Sequence, residues 1–225
     1  MKFTDELWLN VWNKEPYPPI VSNYNGIIVG TDPEPMASLC IASFINAMGD
    51  EYKEGMKILD YGCGSARVAN FLSKRLKNFN YIGLERIESD WGQTCINKAI
   101  ELFGNDPRVE IGYINTELDE KSINISNTVL LLSVFTHTTI ETTEEIIIKL
   151  LPIVERGGDI VFSMIHGDNY VLKGSAYGFE NNFQITYNTR EQVSVLATKL
   201  NVNIDLIDTF DTDIRHWIYR IYKKN

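Results

Sequence analysis

From residue 57 onward the chain alternates short apolar runs with segments of helical period, and this order of elements is the first thing its sequence dictates. "KILD" at 57–60 predicts a strand, 65–77 a helix, "FNYIGL" at 79–84 a strand, and 88–103 a helix stopped by Gly104 and Pro107. "RVEIGYI" at 108–114 is a third strand and "NTVLLLSVF" at 127–135 a fourth. "IETTEEIIIKLLPIV" follows as a helix, and "GDIVFSMI" at 158–165 is a fifth strand. Strands apolar on both faces belong inside a parallel sheet covered by helices. Beyond an irregular polar stretch at 166–184, Thr189 is placed to cap a helix running to about Leu200. "NVNIDLIDTF" and "RHWIYRIYKK", joined by "DTD", then form two strands whose close connection requires antiparallel pairing. The expected fold is α/β, a doubly wound, Rossmann-like sheet of seven mostly parallel strands with an antiparallel last strand and helices on both faces.

The first 35 residues differ. Pro16, Pro18, Pro19, Pro33 and Pro35, with aromatic residues between them, argue against a long regular element and for a cover segment over 1–35. "MASLCIASFINAM" at 36–48 reads as a helix apolar on most sides that opens a single domain over 36–225.

Charge narrows the partners. A formal net charge of -9 gives a field that repels phosphate backbones and anionic membranes, which disfavours nucleic acid. Lys74, Arg75 and Lys77 read as a solvated helix face. No apolar run approaches the roughly 18 residues of a membrane span. The beginning "MKFTDELWLNVW" lacks the uninterrupted apolar core of a signal peptide. Cys40, Cys63 and Cys95, an odd number without CxxC spacing, fit free thiols in a reducing compartment, so a cytoplasmic location is expected.

The candidate chemistry lies in "ILDYGCGSARVANFL", where a strand turns into a helix through an acid and two glycines. Glycines allow close backbone approach, and a helix start offers N–H groups and a positive dipole end to a polar ligand. A dinucleotide turn wants G-x-G-x-x-G. Gly62 and Gly64 fit, but Arg67 occupies the third position, and Asp60 would add negative charge beside a pyrophosphate. A phosphate-binding P-loop fits less well still, since no G-K-[ST] follows the glycines. An acid before the glycines suits a cationic or zwitterionic ligand that carries no phosphate.

In Asp60-Tyr61-Gly62-Cys63-Gly64, "YIGLERIESDW", "VLLLSVFTHTT", "LLPIVERGGDIVFSM" and the upstream "GTDPEPM", the chain resembles the class I S-adenosylmethionine-dependent methyltransferases, in particular the branch of small methyltransferases with a "SVFTHL" segment. The resemblance spans roughly residues 30–222. It implies S-adenosylmethionine as cofactor and S-adenosylhomocysteine as product. It also implies Asp60, Gly62 and Gly64 near the methionine half, Glu85 on the ribose hydroxyls, Asn115 at the adenine edge where the family often has an acid, and Ser133 after the fourth strand as a further cofactor contact. The [DN]-P-P-[YF] of base-amine methylation and a Pro-Cys nucleophile pair are absent.

A methyl acceptor that is a hydroxyl or protonated amine is helped by a general base near neutrality, for which histidine is suited. His137 and His166 follow strands four and five, at the sheet edge where such folds bind ligands; His216, inside the last hairpin, is a weaker candidate. Tyr17, Tyr24, Trp91, Tyr170, Tyr177 and Phe179 are candidates for lining an acceptor pocket, and 166–184 is a candidate lid. The expected function is methyl transfer to oxygen or nitrogen of a small-molecule or glycan/lipid-precursor acceptor. The alternatives are a non-catalytic S-adenosylmethionine-binding sensor or scaffold, and a nucleic-acid or protein methyltransferase. No metal and no membrane span are expected.

Overall fold

The structure, a computed structural model, describes residues 56–73, 77–86, 90–136, 138–166, 187–211 and 215–224. The expected cover segment, the helix at 36–48, His137 and the stretch 167–184 lie outside the described residues.

Strands β1 (Lys57–Tyr61), β2 (Asn80–Glu85), β3 (Val109–Tyr113), β4 (Thr128–Leu131), β5 (Asp159–His166), β6 (Val202–Asp211) and β7 (Arg215–Lys223) lie in the order 3-2-1-4-5-7-6. β1 pairs with β2 and with β4, β2 with β3, and β4 with β5, all in parallel. β7 inserts antiparallel between β5 and β6, so it alone runs against the others. A two-residue strand, Tyr187–Asn188, pairs in parallel with Ile165 and His166 of β5. The chain thus has the seven-stranded mixed sheet with an antiparallel last strand that its pattern predicts.

Helices α1 (Arg67–Ser73), α2 (Asp90–Phe103), α3 (Glu117–Ile125), α4 (Ile140–Glu155) and α5 (Arg190–Leu200) cover both faces. Alternation along the strands splits the core into two layers. Ile58, Tyr81, Leu130 and Val161 meet Val68, Ala69 and Leu72 of α1 and Ile96, Ala99 and Phe103 of α2. On the other face Leu59, Leu84, Val129 and Phe162 meet Ile123 of α3, Ile147, Leu150 and Ile153 of α4, and Val193 and Leu196 of α5. Because each inner strand is buried on both faces, the sheet interior needs the near-continuous apolar runs seen in the sequence. α5 begins in a capping box, with Thr189 accepting from the Gln192 N–H and the Gln192 side chain returning to the Thr189 N–H.

Two boundaries and one helix differ from the pattern. β4 ends at Leu131 rather than running to 135, because Ser133 adopts a left-handed φ of 60° and turns the chain. The apolar run continues only because Leu132 and Phe135 are buried in that turn. The first helix begins at Arg67, since Ser65 and Ala66 still belong to the glycine turn and Ala66 also has φ 60°. α3 escapes the pattern altogether. Its sequence ELDEKSINI buries Asp119 and Ser122 beside Ile123, so hydrogen bonds replace part of the apolar stripe that identifies a helix from sequence.

Candidate functional site

The turn from β1 into α1 is left-handed at Gly62 (φ 87°) and Gly64 (φ 55°). A Cβ on Gly62 would lie 2.6 Å from Val134 Cγ2, so the turn and the segment after β4 are in contact only because Gly62 has no side chain. The amides of this turn are used inside the protein. Gly62 and Cys63 N–H donate to the Leu84 carbonyl at 2.8 and 3.0 Å, and Gly64 N–H donates to Glu85 Oε2 at 2.8 Å. These three amides therefore make no cradle for phosphate, in keeping with the reading that the acid and glycines select another ligand.

Asp60 and Glu85 are both buried at the carboxyl edge of the sheet. Asp60 Oδ2 accepts the phenolic hydrogen of Tyr81 at 2.6 Å. Parallel pairing sets Tyr81 beside Ile58 and on the same face as Asp60, so the tyrosine reaches the acid from the neighbouring strand. Glu85 takes one amide on each carboxylate oxygen, from Gly64 at 2.8 Å and from Arg86 at 2.9 Å. Burial nevertheless dominates and pushes its pKa up to about 7, against the pull of those two amides. Each oxygen retains acceptor capacity, so the group is suited to a ligand bearing two hydroxyls.

Asn115 follows β3 in a left-handed conformation (φ 64°). Its N–H donates to Asp119 Oδ2 at 2.7 Å, and Lys149 of α4 donates both to Asp119 Oδ2 at 2.5 Å and to Asn115 Oδ1 at 3.0 Å. An ammonium only donates, which fixes oxygen as the atom facing Lys149 and leaves the Asn115 NH2 group for another partner. Lys149 Nζ also lies 5.6 Å from the centre of the Tyr61 ring.

Ser133 lies at the end of β4, beside β1 and β5. Its N–H donates to the buried Ser163 hydroxyl at 2.8 Å, and its carbonyl accepts from Thr136 Oγ1 at 2.7 Å.

His166 ends β5, with Nδ1 2.6 Å from the Asn188 carbonyl and Nε2 hydrogen-bonded to the Tyr219 hydroxyl. A carbonyl only accepts, so Nδ1 carries the proton and Nε2 takes the Tyr219 hydrogen. Burial lowers the His166 pKa, the Asn188 hydrogen bond opposes this, and the Arg190 guanidinium lowers it further, so the ring is neutral near pH 7. It packs edge-on to Trp217 and Tyr219 on the face covered by α4 and α5, whereas Asp60 shares the face of Tyr81 and α1. His216 is on β7, across from Ile165. Cys63 and Cys95 are buried free thiols, and burial raises both, which removes them as nucleophiles.

Asp60, Gly62, Gly64, Glu85, Asn115 and Ser133 thus gather along the carboxyl edge of β1 to β4, while His166 is set apart at β5. Tyr81, Lys149 and Ser163 hold these residues and escaped the sequence reading. Only Tyr81 left a signal there, through its strand parity with Asp60.

No protein-family model matches the chain, and no curated protein matches it. Solved structures do. A magnesium protoporphyrin IX methyltransferase from Synechocystis with bound S-adenosylmethionine superposes with a TM-score of 0.62 at 10% identity, over 97% of this chain and 90% of that one. A plantazolicin methyltransferase in complex with S-adenosylhomocysteine superposes at 0.61 with 17% identity, over 98% and 94%. A methyltransferase from Leishmania major gives 0.62 with 15% identity, over 96% and 80%. The chain therefore has the class I methyltransferase fold.

Proposed function

We propose that the protein is an S-adenosylmethionine-dependent methyltransferase that acts on oxygen or nitrogen of a small-molecule or glycan/lipid-precursor acceptor. The observation that carries this reading is Glu85: a buried carboxylate at the end of β2, hydrogen-bonded to the glycine turn and still able to accept from two hydroxyls. The fold of structures that hold S-adenosylmethionine or S-adenosylhomocysteine supports it. In this reading Glu85 holds the ribose, Asp60, Gly62 and Gly64 flank the methionine half, Asn115 meets the adenine, and Ser133 contacts the cofactor beside them. The cofactor supplies a methyl group already activated on a sulfonium, so the protein's task is to align the acceptor and exclude water. The acidic net charge supports a small acceptor over nucleic acid, as do the neighbours described as acting on magnesium protoporphyrin IX and plantazolicin. Among the described residues no helix is long and apolar enough to cross a membrane; a cytoplasmic location belongs to the same proposal.

Asp60→Ala and Glu85→Ala are each expected to weaken S-adenosylhomocysteine binding by about 1 to 3 kcal/mol, the scale of lost charge-assisted hydrogen bonds. Calorimetry on folded variants decides this, and unchanged affinity in both removes the assigned site. Turnover is tested with methyl-labelled cofactor and pooled metabolites, beside nucleic-acid and protein fractions. Label confined to nucleic acid or protein would overturn the acceptor class.

Affinity should also depend on pH in a set direction. Two ribose hydroxyls bind the carboxylate and not the acid, so binding releases the Glu85 proton. Kd should rise as pH falls below about 7, by up to about tenfold per unit, and level off above it. Titrations in buffers of different ionisation enthalpy would count the proton; a pH-independent Kd between about 5.5 and 8 would overturn this proton linkage. The stability of the ligand-free protein runs the opposite way. The folded pKa lies above the unfolded one, so stability falls as pH rises from roughly 4.3 to about 7.

The second reading is a protein that binds the cofactor without transferring its methyl. His166 favours it, since both ring nitrogens are engaged and proton uptake at Nε2 costs the hydrogen bond it receives from Tyr219. Within the enzyme reading the same fact moves the role of base toward His137.

A further inference from the structure

Four non-glycine residues among those described have a left-handed backbone, and three of them, Ala66, Asn115 and Ser133, lie at the carboxyl edge of β1, β3 and β4. The fourth, Asn201, ends α5 as a helix cap, where this conformation is routine. For serine the left-handed region is unfavourable and persists only where neighbours hold it. At Ser133 two hydroxyls do so. Ser163 accepts its N–H at 2.8 Å and Thr136 donates to its carbonyl at 2.7 Å. Ser163 is 0% exposed in the middle of β5, on the face of Val161 and the apolar layer under α1. A hydroxyl there is costly unless it is hydrogen-bonded, and the partner it meets is the Ser133 amide. The consequence of the turn is spatial. It brings Val134 against Gly62, so the segment after β4 closes on the glycine turn, and the hydroxyl of half-buried Ser133 makes no hydrogen bond among the described residues.

We propose that Ser163 is a positioning residue for the cofactor site: from inside the sheet its hydroxyl locks Ser133 in the left-handed conformation, and the locked turn sets Val134 and Ser133 as the wall facing the glycine turn. This inference rests on the reading that the carboxyl edge binds S-adenosylmethionine, and it adds a residue that does not itself touch the ligand.

The test uses calorimetry with S-adenosylhomocysteine at a temperature where circular dichroism shows every variant folded. Ser163→Ala should weaken binding by about tenfold, the equivalent of one buried hydrogen bond. Glycine occupies the left-handed region without support, so in a Ser133→Gly background the same Ser163→Ala change should alter Kd by less than about twofold. Thr136→Ala, which releases the other end of Ser133, should act in the same direction as Ser163→Ala and keeps the proposal testable if the latter fails to fold. Hydrogen exchange of the Ser133 amide should quicken in Ser163→Ala ahead of its strand neighbours. A Ser163→Ala protein with lowered melting temperature but wild-type Kd would make Ser163 structural only. An equal loss in both backgrounds would show that its effect does not run through Ser133. A wild-type protein that does not bind S-adenosylhomocysteine would overturn the cofactor reading itself, and this inference with it.

Discussion

Gly62→Ala is expected to destabilise the protein by about 3 kcal/mol, and Gly64→Ala by about 1 kcal/mol, although both glycines belong to one turn. Each substitution puts a side chain on a left-handed backbone, with φ 87° at Gly62 and 55° at Gly64. Only at Gly62 does the new Cβ also meet an obstacle, Val134 Cγ2 at 2.6 Å, whereas nothing lies within 4 Å at Gly64. The difference between the two variants therefore isolates the contact between the glycine turn and the segment after β4. Denaturant titration measures both. Val134→Ala should recover part of the loss in Gly62→Ala and none in Gly64→Ala; equal costs at the two glycines would mean that the turns do not meet.

The second large effect is expected on the opposite face. Lys149→Met should destabilise by about 3 kcal/mol because it strands a buried carboxylate. Asp119 is 1% exposed, its Oδ2 takes the Lys149 ammonium and the Asn115 N–H, and its Oδ1 has no partner among the described residues. Removing the charge as well, in Asp119→Asn with Lys149→Met, should return stability to within about 1 kcal/mol of the starting protein, since a buried pair is worth far less than the penalty for breaking it. Thermal unfolding of the four proteins closes this cycle. A single-variant loss no larger than that of an exposed pair such as Lys121–Glu110 would show that water reaches Asp119.

These contacts explain what was legible in the sequence. The succession of strands and helices along the chain, the antiparallel end of the sheet, the glycine turn and the acid closing β2 are local patterns: hydrophobic periodicity, a short hairpin connection, and an acid with two glycines at a strand end. They can be read along the chain. The residues that hold the site cannot. Lys149 and Asp119 are 30 positions apart, as are Ser133 and Ser163, and they meet only after β3, β4 and β5 have lined up. α3 was invisible because Asp119 and Ser122 fill its inner face in place of apolar residues. His166 satisfied the local rule for a base, a histidine at the carboxyl end of a strand, yet β7 brings Trp217 and Tyr219 against it. Nothing near residue 166 announces that, because the pairing partner is over 50 positions away.

The insertion of β7 between β5 and β6 also bears on how the chain is made. Among the described residues β6 pairs with β7 alone, and the Ile160–Ile165 edge of β5 is completed by the segment from His216 to Ile221. During synthesis every other described strand of the sheet emerges before β7, so until residues 215–223 emerge the nascent chain carries a long, apolar edge on β5 and a ten-residue β6 that both lack their β7 partner. β7 thus covers the edge most exposed to wrong pairing, and a chain truncated just before residue 215 should present that edge to other chains.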